Sequence, residues 1–400
     1  MITRPLQRAL RARPMVLVAA LVPRGRRSAP RSRAVGVALF AVLAMQLMVV
    51  SPAAGGAGPF RVTIAGDSIV EGAGQRFPGR TGGLGAAVRE ALGERGLRAH
   101  GRGYVPAHDA RPSTEQVPRS YWPLRYTGDW AFEGTFATPP SPFGGDGFAS
   151  VTADPGATAE ATLTADRIAV LYAIAPDGGR FAATVYGRSH LIDASGPHAR
   201  AGLSWLRAGP GHAHLRISGV AGGVVRLTGL IARRDSDDVE IEQVGRSGAY
   251  AADAMAAPNR QALLALRPQL TIIMFGTNEE GRALGGQAAE AEHGLQRGLA
   301  RRARLARRTG RCVIVPHAPS NRPPRTQPRF ADLARAAARA NGCDFRPILN
   351  RLWPAGEASV HLGLTADGLH PTTTGYNLIA QPMADLIVRY RRSSDACSSS

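Results

Sequence analysis

Two sequence grammars alternate along this chain, and their order constrains its fold more than any other feature. FRVTIAGDS (60–68), DVEIEQVG (238–245), LTIIMFG (270–276) and CVIVPHAPS (312–320) read as short strands, with CDFRPI (343–348) as a fifth. GGLGAAVREALGERG (82–96), FADLARAAARANG (330–342) and TTTGYNLIAQPMADLIVRYRR (372–392) carry apolar residues at helical spacing. Two more helices are expected, one inside 248–268 and one reaching about residue 309. Strands alternating with helices predict an α/β fold built on a doubly wound parallel sheet.

Residues 105–235 break that rhythm. TAEATLTADRIAVLYAI (158–174), RFAATVYGRSHLI (180–192), HAHLRIS (212–218) and VVRLTGLIA (224–232) alternate with period two between Gly and Asp-Gly turns, which predicts an antiparallel β-sandwich. The expected organisation is a core made of 60–104 and 236–391, the sandwich 105–235 inserted after its first helix, and a disordered tail at 392–400.

The first 53 residues obey other rules. Residues 1–33 hold nine Arg and no acid, AVGVALFAVLAMQLMVV (34–50) is an apolar run, and the small-residue stretch SPAAGGAG comes next. That order predicts a secretory signal peptide. An uncleaved membrane anchor is the alternative, because 17 residues just suffice to span a bilayer. Either way the rest of the chain faces outward, secreted or held at the cell envelope. Those nine Arg supply nearly half of the formal net charge of +19, and the chain has no Lys. Zinc-ligand spacing, a Gly-Lys-Ser/Thr phosphate loop and an aromatic-interleaved basic stripe are all missing from the sequence, so no metal, cofactor or nucleic-acid partner is expected. RGLARRARLARRTGR (297–311) reads as the solvated face of a helix. Export permits disulfides. Cys312 and Cys343 fall in or beside neighbouring strands, where a bridge and two buried thiols both fit.

In an open α/β sheet, reactive groups gather beyond the carboxyl ends of the strands. Four polar clusters fall there: Gly66-Asp67-Ser68, Gly245-Arg246-Ser247-Gly248, Gly276-Thr277-Asn278-Glu279, and Asp367-Gly368-Leu369-His370 before the last helix. Each alone reads as a turn, a close-packing glycine or a helix cap. Together they fit one chemistry. A Ser hydroxyl needs an adjacent base, an Asp three residues before a His can hold the imidazole, and a developing oxyanion needs neutral donors.

In this order and placement the blocks GDSIVEG, GRSGAY, FGTNE and DGLHP resemble the SGNH (GDSL-type) hydrolases, over roughly 60–97 and 238–391. The resemblance implies a flavodoxin-like core, a carboxylic ester hydrolase without cofactor, and a triad of Ser68 as nucleophile, His370 as base and Asp367 as its orienter. It also implies an oxyanion hole from the Ser68 and Gly248 N–H groups and the Asn278 amide. Two departures stand out: Glu279 occupies a position usually held by Asp, and Ile69 stands where Leu is common; the long gap between Ser68 and Gly248 is what an inserted domain would produce.

Family members cleave acyl esters of lipids, glycans, peptidoglycan and small molecules. An exported member with an inserted sandwich looks like those acting on acetylated carbohydrate. An acyltransferase with the same triad and a non-catalytic glycan-binding protein are the alternatives. Tyr121, Trp122, Trp130 and Trp205 are either sugar-stacking faces or sandwich core.

Overall fold

Strand β1 (Phe60–Gly66) runs into the one-turn helix α1 (Ser68–Glu71) and then α2 (Gly83–Gly93). The antiparallel strands come after it: β2 (Gly103–Pro106), β3 (Arg125–Thr127), β4 (Ala131–Glu133), β5 (Ala149–Thr152), β6 (Thr158–Thr164), β7 (Arg167–Ile174), β8 (Arg180–Val185), β9 (Arg188–Asp193), β10 (Arg200–Arg207), β11 (His212–Ala221) and β12 (Val225–Arg233). Next are β13 (Val239–Gly245), α3 (Ala257–Ala265), β14 (Leu270–Met274), α4 (Thr277–Arg282), α5 (Ala288–Ala306), β15 (Arg311–Ile314), α6 (Gln327–Ala340) and β16 (Asp344–Phe345). Helices α7 (Glu357–His361) and α8 (Thr373–Ser398) close the chain. The computed structural model describes residues 58–72, 83–108, 124–316, 327–349 and 357–398. The expected leader or anchor (1–53), Tyr121 and Trp122 lie outside the described residues.

One parallel sheet has the order β13-β1-β14-β15-β16, with Gly66 in register with Gly245 and Met274. Neighbouring side chains of a strand point to opposite faces, and both faces are covered. Val62, Ile64 and Ile272 pack with Leu84, Val88 and Leu92 of α2 and with Tyr376, Ile379 and Met383 of α8. Ala65, Ile273 and Ile314 pack with Leu295 and Leu299 of α5 and with Phe330 and Ala334 of α6. In α2 the buried residues Leu84, Ala87, Val88, Ala91 and Leu92 fall at the spacing of one helical face. Each buried Leu or Val contributes about 1.5–3 kcal/mol.

The other strands form two antiparallel sheets, β10-β7-β12-β5-β4 (with β2 also on β12) and β3-β6-β11-β8-β9. They share one apolar cluster, to which Ile168, Leu227 and Leu230 come from the first sheet and Leu163, Phe181 and Leu215 from the second. The β8–β9 hairpin turns at Tyr186 and Gly187, both with positive φ (50° and 73°), as a tight turn matched to strand twist requires.

These sheets are fused to the parallel one. Tyr104, Leu171 and Ile231 share an apolar cluster with Val244, Met255, Leu263 and Leu305. The buried Arg233 of β12 meets Glu240 at 2.9 Å and Glu242 at 3.3 Å on β13. Residues 56–400 accordingly make one compact unit.

The expected disordered tail is a correction. Helix α8 runs to Ser398, because Leu386, Ile387 and Tyr390 continue its buried face and the residues after Tyr390 include no Gly or Pro to break it. The expected strand in CDFRPI shortens to the two residues of β16. Cys312 and Cys343, whose Cα atoms are 4.9 Å apart, form a disulfide. Among the described residues no helix is long and apolar enough to cross a membrane.

Candidate active site

Two tight turns meet at the carboxyl ends of β1 and β13 and bring the candidate site residues together. Asp67 caps α1, its Oδ1 accepting from the Ile69 N–H at 3.1 Å, and the turn leaves Ser68 at the first helical position. Tyr376 of α8 donates its buried hydroxyl to the Ile69 carbonyl at 2.8 Å, tying α1 to the segment that carries the histidine. His370 Nε2 lies 3.0 Å from Ser68 Oγ, and His370 Nδ1 lies 2.7 Å from Asp367 Oδ2. The other oxygen, Asp367 Oδ1, accepts from the backbone N–H groups of Leu369 and His370 at 3.0 and 2.7 Å. Burial pushes Asp367 upward, but those N–H groups and the imidazole outweigh it and hold the carboxyl below its usual value. The spacing of three residues thus places carboxylate and ring side by side in one turn, and α1 brings Ser68 to the far nitrogen.

The loop after β13 supplies the second half of the site. Gly245 is required by close approach, since a Cβ there would sit 2.4 Å from the Glu71 nitrogen. Along Arg246–Ala251 the backbone N–H groups are taken in turn. Arg246 donates to the Gly66 carbonyl, Ser247 to Glu71 Oε2, Ala249 to the Arg246 carbonyl, Tyr250 to Asp253 Oδ2 and Ala251 to Glu279 Oε1. Gly248 alone in that run donates to no described acceptor, and the same holds for the N–H of Ser68. Gly248 has φ +74°, a left-handed conformation that glycine adopts without strain. Asn278, at the start of α4, donates one amide N–H to the Ala249 carbonyl at 2.8 Å, and a primary amide has a second to offer.

Glu71 and Glu279 were not assigned roles by sequence reasoning, although both stand inside the motif blocks. The signal that could have found them is a carboxylate within three residues of a site residue in a chain segment that must be buried. Glu279 is buried, its Oε1 receives Ala251 at 2.6 Å, and burial reinforced by Asp67 and Asp253 raises its pKa to about 7. Arg302 clamps the same loop from behind, donating to the Ala251 carbonyl at 2.8 Å and to the Asp253 carbonyl at 2.7 Å.

One wall comes from the loop between β4 and β5. The buried Asn259 of α3 donates to the Ser141 and Gly144 carbonyls at 2.9 and 2.5 Å, fixing this loop on the parallel-sheet part. The exposed Phe136 lies against Gly248, its Cε1 3.2 Å from where a Cβ would stand. The described tryptophans read as either sugar-stacking faces or sandwich core lie away from the site. Trp130 packs in the antiparallel cluster and donates to the Thr127 carbonyl. Trp205 lies beneath Arg233, whose Glu240 partner stands at the start of β13, the opposite end of the sheet from Ser68. Among the described residues no group of His, Cys, Asp and Glu could hold a metal ion.

Residues 206–378 match the model of the GDSL-like lipase/acylhydrolase family. Over that range the chain is similar to the GDSL-type hydrolases. The matched range holds Gly248, Asn278, Asp367 and His370, and Ser68 precedes it. No curated protein matches the sequence. The chain superposes on a solved peptidoglycan O-acetylesterase with a TM-score of 0.62 at 18% identity, covering 84% of this chain and 92% of that one. Further structural matches are a family two carbohydrate esterase from Clostridium thermocellum (TM-score 0.28, 12% identity, 66% and 98% covered) and the acetylxylan esterase Axe2 from Geobacillus stearothermophilus (0.31, 17%, 37% and 73%). At these identities the first superposition establishes a shared fold.

Proposed function

We propose that this hydrolase is an extracytoplasmic serine esterase that removes acyl groups, O-acetyl foremost, from a carbohydrate or cell-wall polymer. Its core is a flavodoxin-like, doubly wound sheet interrupted by a β-sandwich. The observation that carries the reading is the unbroken chain Asp367–His370–Ser68, with contacts of 2.7 and 3.0 Å, ending on a hydroxyl at a helix start. His370 Nε2 takes the Ser68 proton as Oγ attacks the acyl carbon, and Asp367 keeps Nδ1 protonated and stabilises the imidazolium. The oxyanion is received by the uncommitted N–H groups of Ser68 and Gly248 and the second amide N–H of Asn278. His370 then protonates the departing sugar oxygen and activates water to release the acyl group from Ser68.

The substrate class rests on the superposition with the peptidoglycan O-acetylesterase. Export is supported by the basic–apolar–small order of residues 1–58 and by the Cys312–Cys343 bridge. The test uses protein lacking residues 1–53, incubated with O-acetylated peptidoglycan and O-acetylated xylan, each with and without a free sugar acceptor. Acetate release is expected, with Ser68→Ala inactive and a serine-directed phosphonate labelling Ser68. Transfer to the sugar in preference to water would make the protein an acyltransferase, and an active Ser68→Ala would remove the mechanism.

A further inference from the structure

The β4–β5 loop holds Phe136 out at the tip of a tight turn. The Thr138 N–H donates to the Thr135 carbonyl at 3.3 Å, which puts Phe136 and Ala137 at the two central positions of that turn. Thr138 Oγ1 accepts from the Thr135 N–H at 3.0 Å, and Thr135 Oγ1 accepts from the Ala137 N–H at 3.2 Å. The Gly134 N–H donates to the Pro139 carbonyl at 2.9 Å, and further along Asn259 fixes the same loop through the Ser141 and Gly144 carbonyls. Backbone and threonine hydrogen bonds thus shape the turn without the phenyl ring. An exposure of 59% leaves most of that ring in water, so it contributes little as core. A lone exposed apolar side chain needs no explanation. Phe136 differs by its neighbour. Its Cε1 is 3.2 Å from where a Cβ of Gly248 would stand, and Gly248 carries a donor of the proposed oxyanion hole.

We propose that Phe136 determines specificity by packing its ring against the sugar whose acyl ester lies in the oxyanion hole. The inference rests on the esterase reading of the site and adds to it the residue that selects a carbohydrate leaving group. An acyl oxygen held by the Gly248 N–H stands about 2.9 Å from the nitrogen, which is about 1.5 Å from the Gly248 Cα. Whichever way the ring leans, it is then within about 9 Å of that oxygen. A pyranose esterified at this acyl group covers such a distance, whereas an acetyl group adds one methyl and cannot cover a phenyl face. The chemistry matches as well. The axial C–H bonds of a pyranose make an apolar face about as wide as a phenyl ring, and the negative face of the aromatic attracts their partial positive charge. A turn already locked by hydrogen bonds loses little freedom when the sugar binds.

The test compares a ring-free acetyl donor, S-ethyl thioacetate, with O-acetylated xylo-oligosaccharide and an O-acetylated muropeptide. Phe136→Ala is expected to lose about tenfold in kcat/KM on whichever carbohydrate the parent cleaves, mostly through KM, and to stay within about twofold of the parent on the thioacetate. Phe136→Leu keeps apolar volume without a flat face and should fall with Phe136→Ala. Phe136→Trp restores a flat face and should hold the parent's KM. Leu191→Ala, at an exposed position on the edge strand β9, is the control and should match the parent on every substrate. An equal loss on thioacetate and carbohydrate would assign Phe136 to shaping the Gly248 loop and overturn the proposal. A changed preference between S-ethyl thioacetate and S-ethyl thiobutyrate would overturn it too, by placing the ring against the acyl chain. A parent that cleaves the thioacetate but neither carbohydrate removes the substrate reading together with this one. A parent that cleaves carbohydrate no better than Phe136→Ala removes this inference alone.

Discussion

Glu279 offers the sharpest quantitative test of how the site is built. Its carboxyl is held at about 7 against an ordinary 4.5, first by burial and then by the charges of Asp67 and Asp253. A shift of that size corresponds to about 3 kcal/mol between the protonated and ionised forms. The sign comes from proton counting. Between pH 4.5 and 7 the folded protein keeps a proton that the unfolded chain has released, so stability falls as pH rises through this window and levels off above it. Glu279→Gln cannot titrate and is expected to lack this slope. Its stability relative to the parent should therefore rise by about 3 kcal/mol on going from pH 4.5 to 7.5. Any fixed cost of burying the new amide displaces the whole curve without tilting it. Asp146 and Glu240, also raised to about 7 by burial, are present in both proteins and cancel. Urea unfolding at several pH values across this range measures the difference, and parallel stability curves would refute the reasoning. Activity at neutral pH should stay within a few-fold of the parent, because Gln keeps an oxygen for the Ala251 N–H.

Four further outcomes are expected. Asn278→Ala should lose about 10²–10³ in kcat without changing the pH profile, since it removes a preorganised donor that does not titrate. Asp367→Asn should cost up to about 10⁴ in kcat, because Nδ1 loses the carboxylate that sets the tautomer; steady-state kinetics on an activated acetyl ester reads both. Cys312→Ser should lower unfolding free energy by about 3–4 kcal/mol, the loop-closure value for a bridge spanning 31 residues, and a reducing agent should bring the parent's melting temperature to the variant's. Replacing residues 105–235 by a short linker should leave an unstable protein, because it strips Val244, Met255 and Leu263 of their apolar partners and leaves Glu240 and Glu242 buried without Arg233; a soluble, active deletion variant would contradict this.

The parallel strands and their helices were legible because apolar period and chain order suffice for them, and the Ser, Asp and His fell into hydrogen-bonded sequence because one turn fixes Asp367 to His370. What the sequence hid are contacts made across long separations. Glu71 reaching Ser247, Asn259 holding Ser141, and Phe136 lying on Gly248 join segments more than 100 residues apart, and no local period encodes such a pairing. The role of Trp130 and Trp205 stayed open in the sequence for a related reason. An aromatic's role depends on which face the sheet buries, and Trp205 lies at the wrong end of the sheet to meet a substrate at Ser68.

The loop at Gly248 shows how these long-range pairings become function. Holding one N–H open requires that its neighbours be satisfied, since a buried unpaired donor costs about 1–3 kcal/mol and would otherwise pull the loop toward any acceptor in reach. Here the acceptors come from β1, α1, α4 and the loop's own Asp253, so four separate pieces of chain must fold before Gly248 is left uncommitted. The open donor is thus a product of the whole parallel-sheet part and not of the short motif that contains it. Phe136 comes to lie beside Gly248 from the loop between β4 and β5. Under the proposed mechanism, changes in the β4–β5 loop are expected to alter which acyl ester is accepted while the hydrogen-bonded frame around Ser68 stays unchanged.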